Sequence, residues 1–156
     1  GTMGLHLLYQ KRGIAFASND ARTLNVQVHE LIKQQATNAS RQLAADYGEP
    51  EWCEGSGLRN THLLAVAPTR TNAVISGAFS QGVEPIDANY FVAKQAKGTF
   101  IRKNPVLEAK LCELGVSPEI WDSILEAKGS VQHLDCLTAE EKEVLEQFRR
   151  QKKNAA

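Results

Sequence analysis

From Thr23 to Tyr47 apolar side chains recur at Leu24, Val28, Leu31, Ile32, Ala36, Ala39 and Leu43, the three-and-four spacing that lines one face of a helix. Asp20 or Thr23 is placed to cap its start, and Gly48 follows its end. Such a helix is about 37 Å long at 1.5 Å per residue. That is long for a chain of 156 residues, and its single apolar stripe calls for more partner surface than the rest of the sequence supplies. A shorter helix is expected over Met3–Arg12, with Gly13 closing it in a left-handed turn.

After a polar, glycine-containing loop from Glu49 to Asn60, the pattern changes. Thr61-His62-Leu63-Leu64-Ala65-Val66-Ala67 is a nearly unbroken apolar run stopped by Pro68, which predicts a strand buried on both faces. A turn over Thr69–Asn72 and a short helix over Val74–Phe79 are expected next. Tyr90–Ala93 and Thr99–Arg102 flank Lys97-Gly98 and predict a hairpin. Three punctuated helices then follow. Asn104-Pro105 opens the first and Gly115 closes it; Ser117-Pro118-Glu119 opens the second and Gly129 ends it. The third starts at a Thr138…Glu141 capping box and is expected to run to about Gln151. No internal repeat or low-complexity segment interrupts this order.

Charge and composition narrow the function classes. Lys plus Arg and Asp plus Glu both number 18, so no broad basic surface is available for direct nucleic-acid binding. The concentrated positive charge at Arg149, Arg150, Lys152 and Lys153 reads as a solvated helix end. No apolar run approaches the ~20 residues a membrane span needs, and no signal segment is visible at the N-terminus. Cys53, Cys112 and Cys136 share no CxxC spacing, which points away from a disulfide framework or zinc site and toward a reducing cytoplasm. The opening Gly1-Thr2-Met3-Gly4 leads straight into helical sequence, as in a cloning remnant or a chain that starts inside a longer protein.

The segment with most chemical content is Pro68-Thr69-Arg70-Thr71-Asn72-Ala73. An apolar run ends at a proline, and short hydroxyl and amide side chains lead toward a helix start. Free N–H groups and the positive dipole end there suit a phosphate. Thr and Asn are also ordinary helix caps, and on pattern alone that is the commoner role. No Gly-Lys-Ser/Thr follows, so this is not a Walker loop.

Asn60, then Leu63 through Asn72, then Ile75-Ser76-Gly77, then Gly82-Val83-Glu84-Pro85 resemble, in order and spacing, the C-terminal part of the ribonucleotide reductase large (alpha) subunit. The likeness is to class I forms of the kind carried by large tailed phages. Met3-Gly4-Leu5-His6, Gly13-Ile14-Ala15-Phe16 and Ala88 through Lys94 extend it over residues 1–148, leaving 149–156 as a basic polar tail. The resemblance implies a mainly helical α/β fold that is part of a ten-stranded α/β barrel, with 62–67 as a barrel strand and the loop at its C-terminal end. It implies that Thr69, Thr71 and Asn72 bind the substrate diphosphate with side chains and Arg70 to Ala73 with backbone amides, while Pro68 packs near the sugar. Arg70 either adds charge to the diphosphate or turns away to pair with an acid. Glu84 is expected to be a buried structural acid held by backbone donors.

The same resemblance implies partners: a ribonucleoside diphosphate, the remainder of the large subunit, and a radical-generating small subunit, with a dithiol as reductant and no cofactor in this chain. The family's Asn-x-Cys-x-Glu finger, tandem tyrosines and terminal cysteine pair do not occur in these 156 residues. The chain is therefore expected to bind substrate phosphate but to be inactive alone, and its exposed helix face and unpaired strand predict a homo-oligomer. The alternative is a non-enzymatic nucleotide-binding or assembly module. The three cysteines and the four histidines (His6, His29, His62, His133) receive no catalytic role, and Trp52 and Trp121 read as packing residues.

Overall fold

The computed structural model describes residues 1–95 and 98–146. Helix α1 spans Leu5–Lys11 and α2 spans Asn19–Tyr47. Gly13, at φ 67°, makes the expected left-handed turn after α1. Ser18 caps α2, its hydroxyl accepting from the Ala21 N–H at 3.1 Å, rather than Asp20 or Thr23, which lie inside the helix at its second and fifth residues. Of the 29 residues of α2 only Ala21 and Ser40 are buried, and Leu31 is 57% exposed. At about 44 Å, this helix outruns the core beside it, and much of its stripe meets solvent.

The loop after α2 is nonetheless rigidly tied. The buried Ser40 hydroxyl accepts from the N–H groups of Arg59 and Asn60, both at 3.1 Å, and donates to Asn60 Oδ1 at 3.0 Å. The Arg59 guanidinium donates to the carbonyls of Tyr47 and Gly48, satisfying the end of α2. Trp52 sits on a single 3-10 turn, Glu51–Cys53, and is 88% exposed rather than packed.

Residues 61–68 correct a second expectation. They form no ladder; the one sheet among the described residues is the hairpin of β1 (Tyr90–Gln95) and β2 (Gly98–Lys103), antiparallel with Tyr90 opposite Lys103. The aliphatic run has strand-forming side chains, but no described segment hydrogen-bonds to its backbone. Lys97, expected with Gly98 at the hairpin turn, lies outside the described residues. The short helix after Pro68, α3, covers Arg70–Ile75, starting four residues earlier than the pattern placed it.

The C-terminal helices are α4 (Pro105–Glu113), α5 (Ile120–Glu126) and α6 (Ala139–Val144). Asn104 caps α4 through its side chain, and the Thr138/Glu141 capping box is present. Helix α6 ends at Val144 instead of running to Gln151; the remainder of that expectation and the basic tail lie outside the described residues. Leu107, Leu111, Trp121, Ile124, Val131 and Leu145 form the main core with Tyr90 of the hairpin. Lys103 lies 4.7 Å from the Trp121 ring centroid, a cation–π contact closing the edge of that core. A smaller cluster joins Leu5, Tyr9 and Ala21 to Phe16 and Val83.

Buried amides join the two clusters. Asn104 Nδ2 donates to Asn89 Oδ1 at 2.7 Å and to Gln10 Oε1 at 3.0 Å. Asn89 Nδ2 in turn donates to the carbonyls of Leu145 and Gly129. These three side chains are buried, and every one finds partners, so the network fixes α1, the hairpin and the α6 end in one arrangement.

Candidate functional site

The loop at Pro68 is shaped by one residue in an unusual conformation. Thr69 adopts φ 45°, ψ 31°, a left-handed geometry that β-branched residues rarely enter. It is held there from two sides. The Thr69 carbonyl accepts from the Ala73 N–H at 2.9 Å, and its hydroxyl accepts from the Gly82 N–H at 2.8 Å. Gly82 itself is buried at φ 48°, and a Cβ there would come within 3.1 Å of the Ala67 carbonyl. The 80–82 turn is clamped to α1, whose Gly4 and Leu7 N–H groups donate to the Ser80 carbonyl and hydroxyl at 3.2 and 3.1 Å.

The result is a fixed turn from which α3 starts. The amides of Arg70, Thr71 and Asn72 donate to no acceptor among the described residues, as expected of a helix first turn. Ala73 differs: its amide is committed to Thr69 and its side chain is buried, so it has no N–H to offer a ligand. The side chains of Arg70, Thr71 and Asn72 are exposed, and Thr69 is half-buried. Thr69 keeps its hydroxyl proton for donation while its oxygen receives Gly82. Pro68 is exposed.

Arg70 makes no ion pair with an acid among the described residues. It lines a groove of about 150 Å³ along α3 with Thr71, Val74, Phe79, Phe91 and Arg102. The Arg102 guanidinium lies 5.7 Å from the Phe79 ring centroid and donates at 3.3 Å to the Ala78 carbonyl, in the segment that follows α3. Glu84 is exposed rather than buried, with no backbone donor on its carboxylate among the described residues; it stands on a turn in which its own N–H donates to the Gln81 carbonyl at 3.2 Å.

The other polar candidates fall apart spatially. Cys53 is buried, whereas Cys112 and Cys136 are exposed on separate elements. His62 is exposed, the His29 ring hydrogen-bonds the Asn25 carbonyl one turn back, and the His133 ring hydrogen-bonds Ser123. No group of three or more His, Cys, Asp and Glu side chains among the described residues could hold a metal. No described helix is long and apolar enough to cross a membrane. Sequence reasoning missed His6, which is fully buried and accepts from the Ile86 N–H at 2.9 Å. Its setting between Leu5 and Leu7 in an amphipathic helix was the available signal.

Comparison with known proteins identifies the family of the chain. The family model described as "Ribonucleotide reductase, barrel domain" matches residues 1–56 and 50–154. A putative ribonucleoside-diphosphate reductase large subunit of Frog virus 3 (isolate Goorha) is 41% identical over 138 residues, covering 88% of this chain and 24% of that protein. The ribonucleoside-diphosphate reductase large subunit of Invertebrate iridescent virus 6 is 35% identical over 149 residues, covering 92% of this chain and 16% of that protein. Among solved structures, the class Id ribonucleotide reductase alpha subunit of Actinobacillus ureae superposes with a TM-score of 0.86 at 42% identity, over 95% of this chain and 27% of that one. The chain thus spans about a quarter or less of the relatives it matches, and none of them supports a free-standing nucleotide-binding module. On the matched family model and these relatives, the chain belongs to the ribonucleotide reductase large-subunit family and represents part of its barrel domain.

Proposed function

We propose that this chain supplies the substrate-phosphate loop of a ribonucleoside-diphosphate reductase and takes no direct part in the radical chemistry. The observation that carries the reading is the fixed turn at Thr69, which leaves the amides of Arg70, Thr71 and Asn72 unspent at the position where the family holds a diphosphate. Hydrogen bonds to an anion are stronger than neutral ones, and a pre-set loop loses little entropy on binding. Thr71 and Asn72 add side-chain donors, the Thr69 hydroxyl donates its proton, and Arg70 adds charge. The partners in this reading are a ribonucleoside diphosphate, the remainder of the large subunit and a radical-generating small subunit, acting in the cytoplasm with an external dithiol. Without the remainder, the exposed α2 face and the open 61–68 edge drive the isolated chain to a homo-oligomer, to be read by light scattering across a concentration series.

Titration of the chain with a nucleoside diphosphate tests the loop. Thr71→Val is expected to weaken binding by about tenfold, the worth of one hydrogen bond to a charged group. The melting temperature should hold, because Thr71 is exposed and its side chain has no hydrogen-bond partner among the described residues. Binding unaffected by Thr71→Val, or no binding by the unaltered chain, overturns the assignment. Turnover is expected to be undetectable for the chain alone; deoxynucleotide formed by the purified 156 residues counts against the division of labour proposed.

A further inference from the structure

Two guanidinium groups line one hollow beside α3. Arg70 of α3 and Arg102 of β2 border the groove of about 150 Å³ with Thr71, Gln81, Phe79 and Phe91. Among the described residues the ion pair is Lys110–Glu141, so neither arginine has a carboxylate partner there. Arg102 is half-buried, and its bond to the Ala78 carbonyl leaves the rest of its donor fork unspent. The wall behind it is apolar: Phe79 is 7% exposed and tilts against Phe91 with centroids 6.1 Å apart. Like charges beside such a wall repel more strongly than in water. An anion entering the groove relieves that repulsion.

We infer that Arg70 and Arg102 form an oxyanion site that takes one phosphate group, with Gln81 and Thr71 as neutral partners. The charged donors are side chains from two different elements, so the site does not depend on the free amides of α3. Arginine suits phosphate because its planar fork matches two oxygens at once. Size sets the class of ligand. Water takes about 30 Å³ per molecule, so the groove has room for roughly five waters or one tetrahedral oxyanion, and none for a nucleoside. Glu84 and Asp87, both exposed, line an adjoining hollow of about 50 Å³ that shares Arg70 and Gln81. Their charge opposes the anion, so Glu84→Gln should tighten phosphate binding by roughly twofold to fivefold, the range of an exposed charge pair.

The probe is inorganic phosphate, titrated into the chain while the Nε–H signals of Arg70 and Arg102 are followed by NMR. Both should shift on one saturating curve, and chloride at equal ionic strength should leave them in place. Arg70→Gln should weaken the binding seen at Arg102 by roughly tenfold or more. The melting temperature should hold, because the Arg70 side chain is exposed. Arg102→Lys keeps the charge without the fork and should fall between the unaltered chain and Arg102→Gln. Two sources offer the same chemistry: the terminal phosphate of a nucleoside diphosphate, which rests on the function proposed above, or free phosphate, which does not. In the first case Arg102→Gln weakens nucleoside diphosphate binding roughly tenfold and spares nucleoside monophosphate. In the second, the phosphate shift persists at saturating nucleoside diphosphate. Signals that stay still, signals that chloride moves equally, or an Arg70→Gln chain with an unchanged Arg102 curve overturn the inference. Phosphate shifts without nucleoside diphosphate binding sink the loop alone; nucleoside diphosphate binding with no arginine response to phosphate sinks the groove alone.

Discussion

Gly129→Ala is expected to cost about 3 kcal/mol or more of folding stability, the sum of an overpacked contact and a left-handed alanine. Gly129 follows α5 at φ 83°, and a Cβ built on it would lie 2.5 Å from the Ala88 Cβ and 3.0 Å from the Tyr90 carbonyl. Neither neighbour can retreat cheaply. Ala88 is 3% exposed, and the Asn89 N–H and Nδ2 both donate to the Gly129 carbonyl, so a shift propagates into the amide network that joins the two clusters. For a chain of this length the melting temperature should fall by roughly 6–12 °C. Gly115→Ala is the control, because Gly115 ends α4 at φ 64° with nothing within 4 Å of its Cβ position. It should lose only the backbone part, about 1–2 kcal/mol. Equal losses in urea or thermal unfolding of the two variants would show that the Ala88 contact carries no energy.

Those two glycines also mark what the sequence made legible. Helix ends are written locally: Gly13, Gly115, the Asn104-Pro105 start and the Thr138/Glu141 box all act within a few residues of their own position, and each stands where the pattern put it. Long-range features were less accessible. The strand at 61–67 is encoded in its side chains, but a strand needs neighbours, and the described residues provide none. Trp52 reads as a packing residue from its large apolar ring and Glu84 as a buried acid only if backbone donors hold it; here both face solvent, and no described backbone N–H reaches the Glu84 carboxylate. Within the loop from Pro68 to Ala73, residue types alone exposed Thr69 through Asn72 as a candidate. They did not show that the Ala73 amide is spent on Thr69, nor that Gly82, thirteen residues on, holds the Thr69 hydroxyl. Tertiary hydrogen bonds of that span have no periodicity to betray them.

His6 should make the chain acid-sensitive through the same scaffold. Its Nδ1 accepts the Ile86 N–H, which assigns the proton to Nε2; Nε2 is buried without an acceptor among the described residues, and the ring sits edge-on to Phe16 with centroids 5.0 Å apart. Burial lowers its pKa from 6.5 to about 4. The unfolded chain then binds a proton that the folded chain refuses between those values, so stability is full above pH 6.5 and declines as pH falls toward 4. The loss amounts to about 3 kcal/mol from this one group. Protonation at Nδ1 also opposes the Ile86 N–H directly, which loosens α1 from the segment after the 80–82 turn. That turn anchors Thr69, so acid should weaken phosphate binding before it unfolds the chain. His6→Asn keeps an acceptor for Ile86 and removes the titration. Urea unfolding at pH 7 and pH 4 should therefore show a drop for the unaltered chain about 3 kcal/mol larger than for the variant, with carboxylate effects common to both. Parallel declines would mean that water reaches the ring and that the buried imidazole does not set the response.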